Sequence, residues 1–176
     1  MKNVLRTFIA IELDRPIRLI LKGIQDQLKK SGADVKWVNP EHIHLTLKFL
    51  GDVPTEKIDS LIPILKESFI GLFQTNIKEA QYKDLFRSEK RPNIDYLIDF
   101  REEKVNKEWK SFSFELTHLG AFPKPENPKI IWAGVASGQD EIKRIVSTLD
   151  DKLHSLGFEK EARDFAPHIT LGRLRS

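Results

Sequence analysis

Apolar and polar positions alternate along two stretches of the chain that carry the same four-residue motif. The motif His-x-Thr-Leu begins at His44 and again at His168. Successive side chains of a β-strand point to opposite faces, so the histidine and the threonine of each copy should share one face. The aliphatic residues between and after them should then face a core. Each copy therefore predicts a half-buried strand that presents one imidazole and one hydroxyl.

The segments before the two motifs match as well. A short apolar run, Phe8–Ile11 in one half and Ile130–Val135 in the other, predicts a strand. Apolar residues then recur with the spacing of an amphipathic helix, at positions 17, 20, 21, 24 and 28 and again at 142, 145, 146, 149 and 153. These stripes are offset by 125 residues and the histidines, at 44 and 168, by 124. We therefore expect two similar halves related by a pseudo-twofold axis, with their polar strand faces across one cleft.

The remaining segments do not repeat. Gly51–Pro54 is expected to end the first motif strand, because glycine and proline commonly interrupt strands. Residues from about 70 to 111 have no counterpart in the other half, although 94–100 has the composition of an extra strand. Residues 111–116 alternate like a strand, and the proline-rich stretch 121–128 predicts a loop that leads to the next strand.

Length and composition fit one α+β domain over residues 1–176, with halves at about 4–66 and 112–175 around the insertion at about 70–111. The chain has no cysteine, which excludes disulfides and thiolate metal sites and makes a cytoplasmic location the natural expectation. The N-terminus resembles neither a signal peptide nor a membrane span. A net charge of +3 is compatible with a polyanionic partner but carries little weight.

Three segments resemble the signature segments of the 2H phosphoesterase superfamily: residues 44–51, 128–135 and 167–173. Within it, the chain is similar to the RNA 2′,3′-cyclic phosphodiesterases, also called 2′-5′ RNA ligases. The likeness covers roughly residues 4–66 and 112–175. It implies a bilobal fold of two antiparallel sheets around a central cleft with helices outside. It also implies no required metal or cofactor, and hydrolysis of a 2′,3′-cyclic phosphate to a 2′-phosphate.

The chemistry of these residue types agrees with the resemblance. Opening a cyclic phosphodiester needs a base for water and an acid for the departing ribose oxygen, and histidine, with an ordinary pKa of about 6.5, serves as either. The resemblance assigns His44 as the proton donor and His168 as the proton acceptor, although the symmetry of the motifs favours neither assignment. Thr46 and Thr170 would donate hydrogen bonds to the phosphate, and Arg173 resembles the family's phosphate-contacting arginine. Strict alternation, however, turns Arg173 away from His168 unless the strand bulges at Gly172.

Several alternatives remain open at this point. His42, His118 and His154 are expected to be non-catalytic, although His42 could join His44 and His168 in a three-histidine zinc site. The same histidine pair would serve a 2′-5′ RNA ligase, or a phosphodiesterase for small cyclic nucleotides or ADP-ribose cyclic phosphate. A non-enzymatic module that binds RNA ends is the third possibility. For the RNA interpretation, the expected partner is RNA or an oligonucleotide with a cyclic-phosphate end, with no membrane and a monomeric protein.

The chain departs from the family pattern at two places. The insertion at about 70–111 is longer than usual, and the sequence ends soon after the second motif, where relatives often continue with a further helix and strand. We expect the extra strand around Tyr96 to occupy the sheet edge that such a tail would cover, because an exposed edge invites aggregation.

Overall fold

The computed structural model of the chain describes residues 4–58, 60, 61, 65, 75–77, 96–100 and 112–175. Within these ranges it contains eight β-strands and two helices of more than ten residues. In chain order they are β1 (Val4–Glu12), α1 (Arg15–Lys29), β2 (Val35–Trp37), β3 (His44–Pro54), β4 (Thr75–Ile77), β5 (Tyr96–Phe100), β6 (Ser113–Lys124), β7 (Asn127–Val135), α2 (Gln139–Ser155) and β8 (His168–Leu174). Neither of these helices is long and apolar enough to cross a membrane.

The strands form one antiparallel sheet in the order β1-β3-β8-β7-β6-β5-β4, and β2 pairs with β8. This confirms the α+β class. Where we expected two sheets, the two motif strands β3 and β8 are joined at a single residue pair, Leu45 with Ile169. The pairs β1–β3 and β7–β8 on either side of this seam are much longer.

The predicted helical stripes face the core of the described part of the chain. In α1, Ile17 and Leu21 are buried, and in α2 Ile142, Ile145 and Leu149 are buried to 1% exposure or less. They pack with the aliphatic residues of the motif strands into one apolar cluster. The core therefore lies behind the seam, and the polar faces of β3 and β8 remain open on the other side.

Two predicted loops are strands instead. Gly51–Pro54 continues β3, because Gly51 adopts a φ of +73° and the segment still pairs with the first residues of β1. The expected loop at 121–128 is reduced to a turn at Pro125 and Glu126, with β6 extending to Lys124. Within the described residues, β5 meets β6 only along residues 113–116 of β6. Pro123 therefore has β7 alone beside it there, and its missing N–H breaks no hydrogen bond to β5.

The insertion contributes the strand expected near Tyr96. Tyr96–Phe100 pairs with β6 on one side and with β4 on the other. Residues 94 and 95, and the charged stretches 83–91 and 101–110, lie outside the described residues. That this strand replaces the tail of relatives stays a prediction.

Candidate active site

The four motif side chains lie together on the open face of the seam. Leu45 and Ile169 are fully buried, so the histidine and threonine on either side of each point away from the core. The burial pattern of residues 44–50 is identical, position by position, to that of residues 168–174. Continuing the antiparallel register from the Leu45–Ile169 pair sets each histidine opposite the threonine of the other motif.

These side chains line one cleft of about 880 Å³, which we call the motif cleft. Its walls hold all five residues singled out in the sequence: His44, Thr46, His168, Thr170 and Arg173. The cleft therefore brings together groups that are more than 120 positions apart in the chain.

Arg173 reaches the motif cleft because β8 bulges. In the β7–β8 pair, Gly172 faces Ile131 while Thr170 faces Trp132, which leaves Leu171 as the extra residue. Leu171 and Gly172 are both buried, and the alternation resumes one step late, with Arg173 exposed. The bulge thus returns Arg173 to the face of His168, as the sequence required for this residue to take part.

Both imidazoles are held in the same way by the backbone. Nδ1 of His44 lies 2.7 Å from the carbonyl oxygen of His42, and Nδ1 of His168 lies 2.8 Å from that of Ala166. A carbonyl oxygen only accepts, so each Nδ1 carries a proton and donates it. Each Nε2 is therefore the atom that is free to take up or release a proton.

The aromatic surroundings of the two histidines differ. The ring of Phe8 stacks on His44, with centroids 4.8 Å apart and planes at 18°. His168 instead meets Phe122 edge to face at 5.0 Å, and Trp132 at 6.3 Å. Trp132 is half-buried behind His168.

The model of the LigT-like phosphoesterase family matches residues 11–96 and 134–176, which include both motifs and both long helices. The chain belongs to this family. The resemblance to the 2H phosphoesterases that the motifs indicated is thereby confirmed.

Relatives in this family carry a common name. An RNA 2′,3′-cyclic phosphodiesterase of Archaeoglobus fulgidus is 31% identical over 172 residues, which cover 97% of this chain and 73% of that protein. One of Methanothermobacter thermautotrophicus is 28% identical over 170 residues, which cover 97% of this chain and 71% of that protein.

Solved structures support the fold. The protein TT0787 of Thermus thermophilus has a TM-score of 0.64 at 20% identity, covering 98% of this chain and 75% of that one. Escherichia coli LigT complexed with 3′-AMP has a TM-score of 0.60 at 20% identity, covering 97% and 74%. The antiparallel sheet with helices is therefore the fold of known LigT proteins.

In this LigT-like chain, a buried glutamine of α1 reaches across to β8, and we call this contact the first polar bridge. Nε2 of Gln25, whose side chain is fully buried, donates to the carbonyl oxygens of Val38 and Leu171, each at 2.8 Å. The carbonyl oxygen of Leu171, the bulged residue, also accepts from the backbone N–H of Val38 at 2.9 Å, so the amide of Gln25 adds a second donor there. The same glutamine therefore holds β8 and the segment that leads into β3.

An ion pair makes the corresponding contact from α2, and we call it the second polar bridge. Nζ of Lys48 in β3 donates to the carboxylate of Asp150 and, at 2.8 Å, to the carbonyl oxygen of Glu159. The other carboxylate oxygen of Asp150 accepts from the backbone N–H of Glu161 at 3.2 Å. Asp150 lies 125 positions after Gln25, the same offset as the helical stripes.

Two other histidines, His42 and His154, lie outside the motif strands. His42 is in a 3₁₀ turn, Pro40–His42, rather than on the strand of His44, although it lines the motif cleft. Among the residues that the structure describes, no three His, Cys, Asp or Glu side chains are arranged to hold a metal ion. The three-histidine set considered from the sequence is therefore not formed there. His154 lies in the last turn of α2 and contacts the carbonyl oxygen of Phe158 at 3.3 Å.

Sequence reasoning missed Phe8, Phe122 and both polar bridges. The aromatic contacts follow from strand pairing and leave no local signal. The bridges did leave one: positions 25 and 150 continue the apolar stripes of α1 and α2, and a polar residue at such a position marks a buried polar contact.

Proposed function

We propose that this protein hydrolyses the 2′,3′-cyclic phosphate at an RNA end to a 2′-phosphomonoester by a two-histidine mechanism. The observation that carries the proposal is that His44 and His168, from separate parts of the chain, line one cleft with their Nδ1 atoms held and their Nε2 atoms free. The names of the relatives favour this substrate over other cyclic diesters.

In the proposed reaction, neutral His168 removes a proton from water through Nε2, and the water oxygen attacks phosphorus. The bond between phosphorus and O3′ breaks, and protonated His44 gives its Nε2 proton to O3′. The products are a 2′-phosphate and a 3′-hydroxyl, with one proton moved from His44 to His168 in sum. Attack in line with departure requires the acid and the base on opposite sides of phosphorus. One imidazole from each motif strand can satisfy this requirement, whereas two from one strand cannot.

The hydroxyls and the guanidinium would stabilise the charge that develops on the phosphate. Thr46 and Thr170 flank the imidazoles on the same strand faces and can donate to non-bridging oxygens. Arg173, brought into the cleft by the bulge, supplies a permanent positive charge and up to two parallel N–H donors.

We further propose that residues 1–176 act as one monomeric domain whose halves, about 4–66 and 112–175, are duplicated around the cleft. The two motif strands have the same burial pattern, and each apolar position of the first helical stripe has a counterpart 125 residues later in the second. Both observations support this view. A 5′-hydroxyl in place of water would give the 2′-5′ ligase reaction with the same two roles for the histidines. The hydrolytic reaction is favoured here because water needs no additional binding site.

The test is to incubate the purified protein with a dinucleotide that ends in a 2′,3′-cyclic phosphate and to follow the product by ³¹P NMR. We expect a 2′-phosphate, at a rate that EDTA does not change and with a bell-shaped dependence on pH, because one imidazole must be charged and the other neutral. Binding without turnover would favour an RNA-end-binding module. Loss of activity in EDTA with recovery in zinc would favour metal-dependent chemistry.

A further inference from the structure

The motif cleft continues into a second chamber of about 860 Å³. The two spaces share Thr46, Phe49, Phe122, Ile130 and His168. From there the chamber extends to the loop 156–167 between α2 and β8. We call this extension the loop arm. Of the residues that the motif cleft does not use, Lys129, Glu161, Arg163, Asp164 and Phe165 line it, with Lys48 and Asp150 at its base.

We propose that the loop arm binds the nucleotide immediately 5′ of the cyclic-phosphate nucleotide, so that the protein prefers oligonucleotides to mononucleotides. This proposal rests on the proposed function. The loop arm opens at His168 and Thr46, the side chains assigned to the reacting phosphate. The RNA strand continues from the 5′-oxygen of the terminal nucleotide, so it can pass from the motif cleft directly into the loop arm.

The walls of the loop arm, and of its junction with the motif cleft, suit a nucleobase. Phe122 is half-buried and fixed against His168, and Phe165 is half-buried and packed on the core. Phe49 is 61% exposed at the junction with the motif cleft. Bases stack on such aromatic surfaces with little sequence preference, and each stacked base typically strengthens binding by roughly 5-fold to 150-fold.

The charges of the loop arm suit a single phosphodiester. Lys129 and Arg163 are exposed, and neither has a hydrogen-bond or ion-pair partner within the described part of the chain. Lys48, in contrast, is neutralised by Asp150. The carboxylates of Glu161 and Asp164 also line the arm and would repel a long polyanion. They can accept N–H groups of a base, so the arm fits one nucleotide rather than an extended RNA strand.

The loop that forms the arm is already held in place. The carbonyl oxygen of Glu159 accepts from Lys48, and the N–H of Glu161 donates to Asp150. Nζ of Lys160 lies 2.6 Å from the carboxylate of Asp151. Three successive residues of the loop are thus fixed to β3 and α2, which lowers the entropic cost of binding a nucleotide against it.

The experiment compares ligands of one and two nucleotides. Calorimetry measures Kd for a mononucleotide 2′-phosphate and a dinucleotide 2′-phosphate, and initial rates give kcat/KM for the corresponding cyclic phosphates. The proteins are wild type, Lys129→Gln, Arg163→Gln and the double variant. Lys152→Gln is the matched control, because Lys152 is an exposed cation of α2 that lines neither chamber.

We expect wild type and the Lys152→Gln control to favour the dinucleotide by about 10-fold in both measurements. In the double variant the preference for the dinucleotide over the mononucleotide should fall toward a ratio of 1. In wild type the same ratio should fall as salt is raised, because two cations contact the phosphate. Turnover of both substrates with a ratio near 1 in wild type, or a ratio that the variants do not alter, would overturn the loop arm and leave the proposed function standing. Absence of turnover would instead refute the proposed function, and the Kd ratio would still decide for or against the arm.

Discussion

The strands β3 and β8 both bulge three residues after their histidine, at Leu47 and at Leu171, and they differ in the side chain that they present beyond the bulge. In β3, Lys48 pairs with Ile9 of β1 while Thr46 pairs with Ala10, so Leu47 is the extra residue. Beyond the bulge, the first half presents Phe49 to the cleft and the second half presents Arg173. Matched backbones therefore place an apolar ring and a cation at equivalent positions, which suits a substrate with a base and a phosphate.

The polar bridges show the same contrast between equal placement and different chemistry. Gln25 and Asp150 are equivalent in α1 and α2, and each contacts a motif strand of the other half. The first bridge is neutral, whereas the second joins two charges. Since β3 and β8 share only one paired residue, we infer that these bridges keep the two histidines at a fixed separation.

Loss of either motif histidine should lower the activity most. His44→Ala and His168→Ala should each lower kcat for a cyclic-phosphate dinucleotide by ~10²–10⁴-fold, because each removes a proton-transfer group. The double variant should be little worse than either single variant, since the pair acts as a unit. His154→Ala is the control and should retain normal turnover. Near-normal activity of either single variant would refute the shared mechanism of the two halves.

Removal of a motif hydroxyl should cost less. Thr46→Val and Thr170→Val keep the β-branched shape, so both variants should fold, and kcat should fall by ~10-fold to 10³-fold through loss of one donor to the phosphate. Circular dichroism checks folding, and steady-state kinetics separates kcat from KM. Similar losses of kcat in the two variants would support equivalent roles for the two threonines. Unchanged rates would mean that these hydroxyls serve only the local structure.

The two polar bridges should differ in their contribution to stability. Lys48→Met leaves the mostly buried carboxylate of Asp150 unpaired and should lower the free energy of unfolding by ~3 kcal/mol. Gln25→Met leaves only neutral carbonyl groups short of one donor each, so a loss of ~1–2 kcal/mol is expected. Urea denaturation measures both, with Lys152→Met at an exposed site of α2 as the control. Equal losses of unfolding free energy in Lys48→Met and Gln25→Met would contradict the predicted difference between the two bridges.

The smallest effect concerns two exposed aspartates at equivalent positions. Hydrogen bonds from Lys22 and Lys29 lower the pKa of Asp26 to about 2, and a hydrogen bond from Lys160 lowers the pKa of Asp151. A lowered pKa in the folded state stabilises the protein above the unfolded value of about 3.9, and this contribution disappears as pH falls toward 2. Asp26→Asn and Asp151→Asn should therefore lower Tm slightly at pH 7 and not at pH 2. High salt should reduce the difference in Tm between each variant and wild type, since both sites are exposed. A difference in Tm that is the same at pH 2 as at pH 7 would contradict the lowered pKa values of these aspartates.

The sequence predicted those features whose burial pattern repeats along the chain. The helical stripes and the motif alternation were correct because each reports directly which side chains face the core. The position of Arg173 could not be decided, because the bulge depends on how β8 pairs with β7 and not on residues near it in the sequence. The predicted ends of β3 and β6 were wrong for a related reason. Glycine and proline usually interrupt a strand, but at Gly51 and Pro123 a neighbouring strand continues the pairing.

The separate roles of His44 and His168 can be measured with a cyclic-phosphate dinucleotide in which sulfur replaces the 3′-oxygen. Sulfur leaves without protonation, so this substrate no longer needs the acid, while attack by water still needs the base. We expect His44→Ala to regain most of its ~10²–10⁴-fold loss and His168→Ala to regain none. Rescue of His168→Ala in place of His44→Ala would reverse the two roles. Rescue of neither variant would contradict an acid–base pair with one histidine from each half of the chain.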